Sequence, residues 1–107
     1  MTLHILRIGS YSHDTVLRCF ASLQANDGLI LISEGVNLLR QAPRLAMQLA
    51  QTLAQTEKRN DVSVKLYALA DDLAARAIKV TDSTVETVNI EQWVQLTLDY
   101  NKTITWQ

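Results

Sequence analysis

Apolar and polar positions fall in blocks along the chain, and the spacing inside each block predicts an element. Leu3 to Ile8 (LHILRI) is rich in aliphatic residues and predicts a first strand, broken by Gly9-Ser10-Tyr11. Val16, Leu17, Phe20 and Leu23 then recur at helical spacing. Ser12 stands where an N-cap is needed, and Asp14 falls in the first turn, where a negative charge suits the helix dipole. Asn26-Asp27-Gly28 is a turn signal. Leu29-Ile30-Leu31-Ile32 is continuously apolar, the pattern of a parallel strand covered on both faces. Ser33-Glu34-Gly35 ends that strand, and Val36 to Leu39 predicts a short helix.

Pro43 opens a longer predicted helix that runs to about Lys58, with Leu45, Ala46, Leu49, Ala50 and Leu53 as its apolar stripe. Val62 to Leu69 (VSVKLYAL) predicts a third strand, and a short helix follows, with Asp71 and Asp72 at its start and Arg76 near its end. Thr84 to Asn89 (TVETVN) carries β-branched residues on alternate positions and predicts a fourth strand. Asn89 and Gln92 have the spacing of a capping box, after which Ile90, Trp93, Val94, Thr97 and Leu98 read as the core face of a last helix. Thr103 to Trp106 adds a short final strand. Strand and helix alternating four times predict an α/β fold: one domain over residues 1–107, with a mostly parallel sheet and helices on both faces.

Composition narrows the function. The 107 residues are 48% hydrophobic and 20% charged, the balance of a chain that folds but has a modest core of its own, so self-association or a partner is expected. The net charge is −1, and the ten Lys and Arg residues are scattered, with Lys58-Arg59 the only adjacent pair. Direct binding of nucleic acid needs a cluster of cations to neutralise several phosphates together, and none is present. His4, Arg7, His13, Asp14 and Arg18 interrupt any signal-peptide core, and no apolar run nears the ~20 residues of a membrane span. A cytoplasmic location is the expectation.

Candidate chemistry centres on Cys19, the only cysteine. Persulfide chemistry needs a thiolate, and Cys19 alone could supply one. Its position near the edge of the first helix's stripe predicts partial exposure and a cost on the order of 1 kcal/mol for Cys19→Ser. The competing reading is a small buried hydrophobe, a common fate of a free cysteine. Ser12-His13-Asp14 is no catalytic triad, because consecutive residues point in different directions. His4, His13 and Cys19 lack metal-site spacing, and His4 reads as structural. Asp72 and Arg76 make a stabilising i,i+4 pair. Glu34 and Gly35 follow the second strand at the sheet's carboxyl edge, where open α/β sheets bind ligands, and Gly35 would permit close approach of another backbone; a plain turn is the favoured reading. Without a GxGxxG or P-loop pattern, no cofactor is implied. Trp93 and Trp106 read as core or subunit-interface anchors.

Three stretches resemble the TusB/DsrH family. Leu3-His4 together with Leu29-Ile30-Leu31-Ile32-Ser33-Glu34-Gly35-Val36 is similar to the family's apolar strand ending in Asp-Gly-Val. Leu66-Tyr67-Ala68-Leu69-Ala70-Asp71-Asp72-Leu73-Ala74-Ala75-Arg76-Ala77 is similar to its Val-Tyr-Ala-Leu-x-x-Asp-Leu-x-Ala-Arg-Gly, and Trp93-Val94-Gln95-Leu96-Thr97 with Trp106 resembles its tail. Glu34 replaces Asp, Ala77 replaces Gly, Asn89-Ile90 stands where the family often has Asp-Tyr, and residues 41–60 form a longer segment than usual. The resemblance implies a DsrE-like fold and a non-catalytic subunit of a TusBCD/DsrEFH-like complex, with TusC/DsrF-like and TusD/DsrE-like partners. Such complexes pass persulfide sulfur towards 2-thiolation of a tRNA wobble uridine, or act in sulfur oxidation. The principal sulfur carrier sits on the TusD/DsrE-like subunit, although some DsrH members carry a cysteine matching Cys19. Direct sulfur acceptance by Cys19 and a generic small-ligand module are the alternatives.

Overall fold

The computed structural model describes residues 1–10, 12–24, 26–41, 64–80 and 85–107. Its five strands are β1 (Thr2–Leu6), β2 (Gly28–Leu31), β3 (Lys65–Leu69), β4 (Val85–Val88) and β5 (Lys102–Trp106). They lie in one sheet in the order β4-β3-β2-β1-β5, and all four pairings are parallel. Among the described residues the helices are α1 (Asp14–Ser22), α2 (Ala70–Ala75) and α3 (Ile90–Asp99), with a 3-10 segment over Ser33–Gln41. The helix read from Pro43 to Lys58 lies outside the described residues, as do Val62 and Thr84 at the starts of the predicted third and fourth strands.

The strand order explains the two layers. From β1 to β4 the chain steps one way across the sheet; from β4 to β5 it returns past three strands to the opposite edge. Right-handed crossovers then put α1, the 3-10 segment and α2 on one face and α3 on the other. The packing agrees. Val16, Phe20, Val36, Leu38 and Leu73 pack on Leu6, Leu29 and Leu31 on the first face. Trp93, Leu96 and Tyr100 pack on Leu3, Ile5, Ile30 and Tyr67 on the second. Leu29 and Leu31 thus serve one layer while Ile30 and Ile32 serve the other, the reason β2 has no polar position.

Local chemistry sets the helix ends. His13, rather than Ser12, caps α1: its Nδ1 accepts from the Thr15 amide at 3.1 Å. The Ser12 hydroxyl is paired instead with that of Ser10, at 3.0 Å. Asn89 and Gln92 form the expected reciprocal box at the start of α3, both bonds 2.8 Å long. After α2, the amide of Ile78 reaches the Leu73 carbonyl at 3.0 Å and that of Ala77 reaches Ala74 at 3.2 Å, which is a Schellman closure. That closure holds Ala77 at φ 51°, the left-handed region that favours glycine.

Two helix faces differ from those read off periodicity. In α1 the inward stripe is Val16, Cys19, Phe20 and Leu23, while Leu17 is 45% exposed. Counting Leu17 among the inward residues rotates the apparent stripe and leaves Cys19 at its edge. In α3 the inward residues are Trp93, Leu96 and Tyr100, whereas Ile90, Val94 and Leu98 face outward. The helix carries two apolar stripes, and the one with the larger aromatic area turns inward and is partly buried against the sheet. The short helix expected at Val36–Leu39 is the longer 3-10 segment, in which Val36 and Leu39, three residues apart, share one side of a three-residue turn.

Candidate functional site

Cys19 sits in the middle of α1 with 0% of its surface exposed, among the first-face core residues. The partial exposure expected at a stripe edge is therefore not found. Burial disfavours the charged thiolate and pushes the thiol from its ordinary 9.0 up to about 12. At neutral pH the group is a protonated, enclosed thiol, chemically closer to a small hydrophobe than to a nucleophile.

At the carboxyl edge of the sheet, the residues after β1 and β2 meet the start of α2. A Cβ added to Gly35 would lie 2.2 Å from the Leu6 carbonyl oxygen, and one added to Gly9 would lie 2.0 Å from that of Glu34. The two loops are thus in backbone contact that only glycine allows, as the sequence suggested for Gly35. Beside them, Arg76 bridges Glu34 at 3.2 Å and Asp72 at 3.7 Å. Asp72 also accepts the Ser33 amide at 2.7 Å, and Arg40 donates to the Arg76 carbonyl at 3.0 Å. Asn37 donates to the second Glu34 oxygen at 3.0 Å. These charges are spent on one another. The network ties the 3-10 segment to α2 and pairs these charged groups with one another. Asp72–Arg76 was legible from its spacing; the contribution of Glu34, 42 positions away, was not.

Among the described residues two polar side chains are buried, Asp27 and His4, the latter on β1. Its Nε2 lies 3.1 Å from Asp27 Oδ2, and its Nδ1 lies 3.1 Å from the indole Nε1 of Trp106. An indole N–H can only donate, so His4 Nδ1 accepts and the imidazole proton sits on Nε2, facing the carboxylate. Asp27 is buried as well and accepts the amides of Thr2 at 2.9 Å and Gln24 at 3.0 Å. These bonds tie the first and last strands of the sheet together. His4 and Trp106 are thus both paired within the domain.

A recess of about 240 Å³ opens at the amino ends of β2 and β3, lined by Met1, Asn26, Lys65, Tyr67, Leu96, Asp99 and Tyr100. Burial, together with a hydrogen bond to Tyr67 and nearby carboxylates, pushes the Tyr100 phenol above its ordinary value. Among the described residues no group of three His, Cys, Asp or Glu could hold a metal ion. No described helix is long and apolar enough to cross a membrane.

Together these features define a small parallel α/β domain with helices on both faces, whose single thiol is sealed in the core. The chain belongs to the DsrH-like family: the family described as "DsrH like protein" matches residues 9–103. That membership links it to sulfur relay, and the family normally acts in a complex with DsrE/F-like proteins. Among solved structures, protein Tm0979 from Thermotoga maritima, solved by solution NMR, shares the fold with a TM-score of 0.56. It is 22% identical, over 92% of this chain and 93% of its own. No curated protein matches the chain.

Proposed function

We propose that this chain is a cytoplasmic, non-catalytic subunit of a TusBCD/DsrEFH-type relay that supports 2-thiolation of the tRNA wobble uridine. One observation carries the reading: in a sulfur-relay family member, the only cysteine is fully enclosed and its thiol is pushed up to about 12. A persulfide carrier must meet its donor and acceptor as an accessible thiolate. This chain instead supplies structure to a complex in which a TusD/DsrE-like partner bears the sulfur. The carboxyl edge supports the same reading, because its charged groups are internally paired.

The test is co-expression with the TusC/DsrF-like and TusD/DsrE-like paralogues, native mass measurement of the complex, and quantitation of 2-thiouridine in tRNA. Loss of the chain should lower 2-thiouridine, and Cys19→Ala should restore both complex and modification. A Cys19→Ala complex that assembles but fails to thiolate would make Cys19 the carrier. Unchanged 2-thiouridine in cells lacking the chain would move the complex to sulfur oxidation. Absence of any complex would return the generic small-ligand reading.

A further inference from the structure

β5 ends the sheet, and among the described residues no strand pairs with its outer side. Which of its peptide groups are unused follows from the ladder on its inner side. The Arg7 amide donates to the Trp106 carbonyl at 3.2 Å, and Trp106 stands opposite Leu6 as Ile104 stands opposite His4. In an extended strand the N–H and C=O of one residue point to the same side, and that side alternates along the chain. Ile104 and Trp106 therefore turn their peptide groups inward to β1. Thr103 and Thr105 turn theirs away from the sheet, and both residues are exposed. The strand, Lys-Thr-Ile-Thr-Trp, is β-branched and aromatic after its first residue and has no proline, so it is a template for one more strand.

The order of its side chains selects the occupant. Antiparallel addition sets outward residues of one strand against outward residues of the other, each pair exchanging both backbone bonds. A two-fold axis at Ile104 meets that condition with a second copy: Thr103 faces the second copy's Thr105, and Thr105 faces its Thr103. Ile104 then opposes its own counterpart at a close, non-hydrogen-bonded position, with Cα atoms about 4.5 Å apart. Lys102, the one charge in β5, falls opposite the second copy's partly exposed Trp106, an aromatic partner for its stem and its ammonium. The same axis holds the two lysines at opposite ends. Parallel stacking in register would instead set lysine against lysine and leave another edge open, whereas the two-fold pair is closed.

We infer that two copies of this chain join by antiparallel pairing of β5 about Ile104, forming one continuous sheet across the two-fold axis. The inference goes beyond the relay reading and does not depend on it.

Light scattering and amide exchange on the full chain at rising concentration test it. A dimer should form, and exchange at the Thr103 and Thr105 amides should slow at least tenfold with concentration, while the Ile104 and Trp106 amides are protected throughout. Thr105→Pro removes an outward N–H that the inner ladder does not use, and should weaken dimerisation at least tenfold. In a Cys19→Ala background, Ile104→Cys should cross-link two copies under air oxidation, because opposed Cα atoms at that spacing suit a disulfide; Thr103→Cys should not. A monomer at millimolar concentration would overturn the inference. So would a dimer that leaves Thr103 and Thr105 unprotected, or one that forms as well with Thr105→Pro. Cross-linking through Thr103→Cys and not Ile104→Cys would overturn the axis at Ile104.

Discussion

The two faces of the sheet are covered very differently. On the first, α1, the 3-10 segment and α2 bury Phe20, Val36 and Leu38 almost completely, and enclose Cys19 with them. On the second, among the described residues, helix α3 covers Leu3, Ile5, Ile30 and Tyr67 with Trp93, Leu96 and Tyr100, and keeps an apolar stripe exposed. The first face behaves as a finished core. The second has more apolar surface than the described part of its own domain hides. A chemical group on the first face is therefore shielded from partners, whereas residues on the outer side of α3 are available to them.

The contrast is sharpest at Phe20, which is 1% exposed. Phe20→Ala should lower the unfolding free energy by about 3–5 kcal/mol, read from the denaturant midpoint at constant slope. A loss under about 1 kcal/mol would mean that the first face is loosely packed. Cys19 probes the same core by pH. Its folded pKa is raised, so the unfolded thiol ionises first, from its ordinary 9.0, while the folded one holds its proton to about 12. The unfolded state binds fewer protons in that window, and stability falls as pH rises through it. Cys19→Ala should remove this part of the alkaline slope, and native protein at pH 8 should resist thiol alkylation. Rapid labelling without unfolding would show the enclosure to be open.

Smaller effects sharpen the comparison away from the core. Trp106→Phe leaves His4 Nδ1 without its donor and should cost about 1–2 kcal/mol, with faster amide exchange along β5. Exchange unchanged along β5 would show that its pairing with β1 holds the tail unaided. Ala77→Gly relieves a left-handed alanine and should stabilise by about 0.5–1 kcal/mol in thermal unfolding. Leu98→Ala, on the outward stripe, should change the isolated chain by less than about 0.5 kcal/mol. A loss as large as that of Phe20→Ala would mean the stripe is internal packing, and the two faces would no longer differ.

Much of this molecule was legible as pattern. Strand-helix alternation implied the parallel sheet, the unbroken apolar run of β2 implied coverage on both sides, and Asn89-Gln92 implied the box that starts α3. Residues near in sequence and bound to a fixed period announce themselves, because backbone geometry alone brings them together. The resemblance carried by Leu66 to Ala77 supplied the family, and Ala77, which departs from it, proves to occupy the position where glycine is favoured.

Tertiary structure decided the rest. The sequence by itself determined the elements, most of their order in the chain and that a single cysteine is available. It did not determine which of two apolar stripes on α3 turns inward, since Trp93-Leu96-Tyr100 and Ile90-Val94-Leu98 both satisfy helical spacing. Only the sheet, by accepting the larger aromatic stripe, breaks that tie. Nor could it join Asp27, His4 and Trp106, whose bonds span 23 and 102 positions. Cys19 follows the same rule: a single mis-assigned neighbour, Leu17, moved it to the edge of a wheel, while packing of the helix into the first-face core put it inside. Burial is a property of what packs against a residue, and periodicity describes only the helix on which the residue stands.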